Sequence, residues 1–131
     1  MNPITANIDF TRLSSLIELA RILSRQSNYE EVLRLVVEKA SSLVNADTAL
    51  IMMINPKTRD TVKTIYAERN SAGNEQNHFI HANICGWVLI NDDCLLSGDI
   101  KSDNRFRKNI FAKTSSGSVI CVPLRIEDVI I

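Results

Sequence analysis

Apolar residues recur at spacings of three and four from Thr11 to about Arg25, at Leu13, Leu16, Ile17, Ala20 and Leu23. That spacing predicts one face of a helix. Leu19 and Ile22 widen the stripe, enough to serve the domain on one side and a partner helix on the other. Residues 1–10 read as a loose lead-in. Ser27-Asn28-Tyr29-Glu30 has the form of a capping box and predicts the start of a second helix. Its buried stripe would be Leu33, Val36, Val37, Ala40, Leu43 and Val44, and Asn45-Ala46-Asp47 would end it. Glu30 and Arg34 stand at the favourable i, i+4 spacing.

The period then changes. Thr48 to Ile54 is short, apolar and closed by Asn55-Pro56, which predicts a strand apolar on both faces and central in a sheet. Pro56 to Asp60 is turn chemistry, and Thr61 to Glu68 is expected to pair back as a hairpin. Asn70 to Asn77 reads as a polar loop, followed by a short strand near His78 to His81. Asn83 is placed to cap a short helix from Ile84 to about Ile90, stopped by Asn91-Asp92-Asp93. Cys94 to Leu96 is a brief strand, and Asp103 is placed to cap a helix from Arg105 to about Lys113. Ser118 to Arg125 is a strand in which Pro123 must take a bulge or an unpaired position. Glu127-Asp128 is a turn, and Val129-Ile130-Ile131 opens another strand. An end on three apolar β-branched residues reads as a chain that continues, or as a strand that pairs with another chain.

Composition narrows the class. The chain has 131 residues, is 45% hydrophobic, and balances 15 Lys+Arg against 15 Asp+Glu. One domain with a real core is expected. Zero net charge argues against a nucleic-acid binder. No run approaches the roughly 20 apolar residues of a membrane helix, and no secretory signal is present, so a cytoplasmic location without membrane contact is expected. Three widely spaced cysteines do not form a disulfide framework and fit free thiols in a reducing compartment.

Four stretches together resemble the GAF domain family. The capped helix runs into an apolar strand through Ala46-Asp47. Ile84-Cys85-Gly86-Trp87-Val88 is similar to the family's glycine-centred helix turn. Gly98 to Phe106 is similar to its D-x-x-x-D-x-R-F stretch, and Ser118 to Leu124 to its S-x-x-x-V-P-L strand.

The resemblance implies an α+β fold. A central antiparallel sheet would carry the N-terminal helices on one face and a pocket with short helices on the other. It divides the chain into an interface helix with its lead-in, 1–26, and a GAF-like domain, 27–131, lacking the family's last strand and helix. It implies a non-catalytic sensory domain that binds an unidentified small molecule, forms a homodimer, and acts on an output domain in cis. That output would be a sensor kinase of a two-component system, a cyclic-dinucleotide enzyme or a transcription activator. Ligand candidates, between the sheet and segments 84–90 and 99–113, are Met53, Trp87, Asp99, Arg105, Phe106, Ile110 and Cys121. Asp99 or Arg105 would supply the polar contact, and the competing account is that the apolar members are simply core. The dimer residues would be Leu13, Leu16, Ile17, Ala20 and Leu23. A ligand-free dimerisation module is the alternative.

Other chemistry is weaker. His78, His81 and Cys85 form H-x-x-H-x-x-x-C, one ligand short of a usual zinc set, so no metal is assigned. Asn91-Asp92-Asp93 resembles a receiver-domain acidic pair, but reads better as a helix end. A thiol enzyme of the free methionine sulfoxide reductase type has a Cys-Gly at Cys85-Gly86. Its nucleophile position is Ala112 here, and its second thiol position is Glu75, which removes the attacking atom. No bilin-attachment cysteine is present, so no cofactor is assigned. Lys101, Arg105, Arg107, Lys108 and Lys113 could attract an anion, with a solvated face as the default.

Overall fold

The computed structural model describes residues 3–25, 28–68, 75–114 and 117–131. Its elements are α1 (Pro3–Leu23), α2 (Tyr29–Val44), β1 (Thr48–Ile54), β2 (Thr61–Glu68), α3 (Glu75–Asn91), β3 (Leu95–Ser97), β4 (Val119–Cys121), β5 (Arg125–Ile126) and β6 (Val129–Ile130), with a 3-10 turn at Ile100–Ser102. They fall in two compact units, one drawn from Met1–Met53 and Val62–Ser71, the other from Ile54–Thr61 and Ala72–Ile131.

In the first unit α1 packs against α2. The expected lead-in is helical from Pro3, a residue well suited to a first helical turn because its missing N–H is unpaired there anyway. Half-buried positions of α1 are Ser15, Leu19, Ile22 and Leu23, and Leu13, Leu16, Ile17 and Ala20 are exposed. The helix is therefore two-sided, with Leu23 on the inner side. Lys39 on α2 reaches Glu18 on α1 at 3.4 Å.

Helix α2 is capped by Asn28, whose side chain accepts from the Glu30 N–H at 3.0 Å. Ser27 lies outside the described residues, and the Glu30 carboxylate pairs with Lys63 on β2 rather than closing a capping box. The helix ends as expected, at Asn45 in the left-handed region, φ 51°. Val37 and Ser41 are its buried residues, and Ala40 and Val44 are exposed. Ser41 replaces them on the inner face because its hydroxyl donates to the Ala46 carbonyl at 3.3 Å.

Strands β1 and β2 occupy the predicted residues and form a two-stranded sheet. In the turn, the Asn55 side chain accepts from the N–H groups of Lys57 and Thr58, and Arg59 takes φ 65°.

In the second unit the expected strand at 78–81 and short helix at 84–90 are one helix, α3. Asn83 does not cap it: its amide donates to the Phe79 carbonyl at 2.8 Å, which lets asparagine sit inside a helix. Ile80, Ile84 and Val88 repeat every four residues and form its inward face. Of the loop expected at 70–77, residues 70–74 lie outside the described ones and 75–77 are helical. The helix expected at 105–113 is a chain of tight turns, with Phe106, Ile110, Ala112 and Thr114 each donating three residues back. Asn109 at φ 68° interrupts any continuous helix there.

Strand β3 pairs antiparallel with β4 in the register Leu95–Cys121, Leu96–Ile120 and Ser97–Val119. Pro123 falls in the gap between β4 and β5, where no ladder N–H is required. Glu127 and Asp128 both have positive φ, 48° and 67°, which suits a two-residue hairpin turn matched to strand twist. Strand β6 therefore pairs with β5. The described strands form three two-stranded sheets, and β1 pairs with β2 alone. Its half-burial along nearly the whole length is what gave it the apolar pattern of a central strand.

Candidate functional site

The sequence-predicted ligand residues gather in the second unit, with one exception. Met53 belongs to the first unit, where its Sδ accepts from the Tyr29 hydroxyl at 3.5 Å. Of the other six, Trp87, Phe106, Ile110 and Cys121 border a single small core of Ile84, Val88, Leu95, Ile100 and Phe111. Against that core pack Ile80, Trp87, Phe106, Ile110, Val119 and Cys121, all partly buried. Helix α3 supplies Trp87, β4 supplies Cys121, and the turns after the 3-10 segment supply Phe106 and Ile110. Phe106 meets Phe111 edge to face, with ring centroids 5.0 Å apart, the arrangement favoured by the ring quadrupoles.

Arg105 organises the polar side. Its guanidinium lies 5.2 Å from the centroid of the Trp87 ring. Its Nε donates to Asp103 Oδ1 at 2.8 Å and its Nη2 to Asp103 Oδ2 at 2.6 Å, a two-point pairing. Nη2 also donates to the Leu96 carbonyl at 2.8 Å, which joins the turn to β3. The Asp103 side chain is only 8% exposed. The hydrogen bond from Arg105 holds its carboxyl well below the usual carboxylate range, with burial opposing and a Ser97 hydrogen bond assisting. Arg105 is raised in turn, first by its hydrogen bond to Asp103.

Asp99 has a local role. Its carboxylate accepts from the Lys101 N–H and from the Ser102 hydroxyl, both at 3.1 Å, and so caps the 3-10 turn. Asp103, expected to cap a helix, accepts from the Arg105 N–H at 3.0 Å and also orients the Arg105 guanidinium. The spacing Asp103-x-Arg105 was the available signal, because a carboxylate two residues before an arginine can meet it across one turn. His81 is half-buried, and burial lowers its basicity, with His78 adding repulsion. Among the described residues no group of three His, Cys, Asp or Glu could hold a metal ion. Asp92, the first residue past α3, takes φ 53° and pairs with Arg125, the behaviour of a helix end.

A separate groove of about 260 Å³ is lined by Ile54, Pro56, Leu89, Ile90 and Val129, with Arg59, Asp92 and Asp128 at its polar positions. None of the predicted ligand residues lines it. It was not legible in the sequence, since it joins the β1–β2 turn, the end of α3 and the β5–β6 turn. The Arg59 side chain donates to the Leu89 carbonyl at 3.4 Å there, and the Ile54 N–H to the Ile131 carbonyl at 2.8 Å.

This is an α+β protein, and in its second unit α3 packs on the β3–β4 pair. The family model of the GAF domain matches residues 26–131. The chain belongs to the GAF domain family, whose members are generally sensory or regulatory domains of signalling proteins and typically non-catalytic. No curated protein matches it. Among the described residues, no helix is long and apolar enough to cross a membrane.

Proposed function

We propose that this protein is the small-molecule sensory domain of a signalling protein, with its ligand seated against Trp87, Arg105, Phe106, Ile110 and Cys121. The observation that carries this reading is the Arg105 guanidinium. It lies over the one tryptophan, stays about one-third exposed, and is tied to Asp103 and to the Leu96 carbonyl. A ligand with an anionic group would compete with Asp103 for the same fork and stack on the same ring. Arg105 would then exchange one partner for another, moving the 103–113 turns relative to β3. Such exchange is a response only if the ligand favours one arrangement over the other. Asp99, whose carboxylate is committed to the cap, holds the 3-10 turn and is not a ligand contact in this scheme. Beyond the domain, the reading includes a cytoplasmic homodimer through the exposed face of α1 and an output domain in cis.

The test is a thermal melt followed by Trp87 fluorescence across a panel of small anionic and neutral metabolites. A ligand that binds only the folded state must raise the midpoint. We expect a compound that raises it in the wild type and leaves Arg105→Ala unmoved. An equal rise in both would remove Arg105 from the site.

A second reading, a ligand-free dimerisation module, is favoured by one specific observation. The polar groups of Asp99, Asp103 and Arg105 already satisfy one another or the backbone, while α1 exposes Leu13, Leu16 and Ile17. It predicts no midpoint shift with any compound and a dimer that depends on α1.

A further inference from the structure

Cys85 on α3 and Cys121 on β4 are 36 positions apart in sequence, yet their sulfurs are 4.0 Å apart. Two thiols at that distance are in contact but not bonded, since a disulfide needs about 2.05 Å. Both are half-buried, and the third cysteine, Cys94, is exposed. The elements that carry the pair are held in place. Helix α3 packs on both β3 and β4. Cys121 stands opposite Leu95 in the β3–β4 ladder, and Leu95 is fully buried. Cys85 lies between Ile84 and Val88, two core residues of α3. Closing the gap needs a movement of about an ångström from each sulfur.

We propose that Cys85 and Cys121 form an oxidation site, at which a hydroperoxide converts the two thiols into a disulfide tying α3 to β4. The inference does not rest on the ligand reading above. In the first step the Cys85 thiolate attacks the hydroperoxide. An S–O bond forms, the O–O bond breaks, and the departing oxygen takes up a proton, leaving a sulfenic acid. In the second step the Cys121 sulfur attacks the Cys85 sulfur and loses its proton. The S–S bond forms, the S–O bond breaks, and water leaves. Two thiols and one hydroperoxide thus give one disulfide, one alcohol (water, for hydrogen peroxide) and one water.

The contact lets either sulfur donate, and the proposal assigns the first attack to Cys85. The hydrogen bond with Cys121 lowers the Cys85 thiol below its ordinary value, while burial opposes it. The same contact pushes the Cys121 thiol up, and burial adds to that. In the proposal Cys85 is the thiolate former, and the Cys121→Ser and Cys85→Ser variants below decide between the two sulfurs. Once the Cys85 sulfur is oxidised its negative charge is gone, and the main obstacle to deprotonating Cys121 goes with it.

The test uses the purified protein, reduced, freed of reductant and treated with hydrogen peroxide. It is then denatured, alkylated and weighed. The expected result is one alkylated cysteine of the three in the chain, with one cross-linked peptide pair containing Cys85 and Cys121. Before alkylation the mass should fall by about 2 Da, the two hydrogens lost. Cys94→Ser should keep the cross-link, and Cys85→Ser should abolish it. In Cys121→Ser, Cys85 should stop at the sulfenic acid and take up dimedone. Three alkylated cysteines in folded, peroxide-treated wild type would overturn the proposal, as would a disulfide containing Cys94. The wild-type measurement does not depend on any variant folding.

Discussion

Leu95 and Leu96 are chemically identical neighbours on one short strand, and they should respond very unequally to the same substitution. Leu95 is 0% exposed and sits among Ile84, Val88, Ile100 and Phe111. Leu96 is 70% exposed. Replacing a buried leucine by alanine costs about 2–5 kcal/mol, from lost transfer energy and the cavity left behind. The middle of that range suits Leu95, because the ladder to β4 and the α3 contact limit collapse of the site. About 3 kcal/mol lowers the folded-to-unfolded ratio by more than a hundredfold and the melting midpoint by about 10 °C. Leu96→Ala should stay within about 0.5 kcal/mol. The assay is urea unfolding followed by Trp87 fluorescence, which reports on the second unit because Trp87 is the only tryptophan and packs against this core. Equal losses at the two positions would refute the reasoning, as would a loss under about 1 kcal/mol at Leu95. A larger loss at Leu96 than at Leu95 would mean that β3 presents its other face to the core, since a one-residue slip exchanges the faces of a strand.

Four further outcomes are expected. Gly86→Ala should stabilise α3 by about 0.5–1 kcal/mol in a chemical melt, because the added methyl meets nothing within 4 Å and the glycine has no positive φ to lose. Asn28→Ala should cost about 1 kcal/mol by removing the α2 cap. Asp103 carries a lowered pKa when folded, so the unfolded chain takes up its proton first as pH falls. Its contribution is full above about pH 4 and fades as pH drops toward the folded value, so wild type should lose more stability between pH 7 and pH 3 than Asp103→Asn. Ile17→Glu, at a position 62% exposed on α1, should dissociate the proposed dimer in sedimentation without changing far-UV circular dichroism.

Local chemistry was legible wherever a residue acts on its own neighbourhood. Strands β1 and β2 match the expected ranges because Asn55-Pro56 and the change of period mark both ends. Asn45 and the Glu127-Asp128 turn were readable for the same reason, since each takes a left-handed backbone. The failures came where a side chain satisfies a partner the pattern does not show. Asn83 looked like a cap, but it donates back to Phe79 within a continuous helix. Asp103 was readable as a cap, and it accepts from the Arg105 N–H, but its pairing with the Arg105 guanidinium was not. Residues 105–113 lost their helix to the left-handed Asn109. Glu30 has Arg34 at helical spacing and feels its charge, but its ion pair is with Lys63 on β2, which the pattern did not show. The Cys85–Cys121 contact needed the packing of α3 on β4, which no spacing encodes. Of the site, the aromatic and apolar members around one core were legible, while the groove beside Arg59 and Asp92 was not.

The central claim is that a small molecule sits against Trp87 and Arg105. Native mass spectrometry of the freshly purified protein, beside Trp87→Ala, tests it most directly. The account predicts a wild-type dimer carrying an additional non-covalent mass that the folded variant lacks. A folded wild type whose mass is that of the polypeptide alone would contradict the account and leave a dimerisation module in its place.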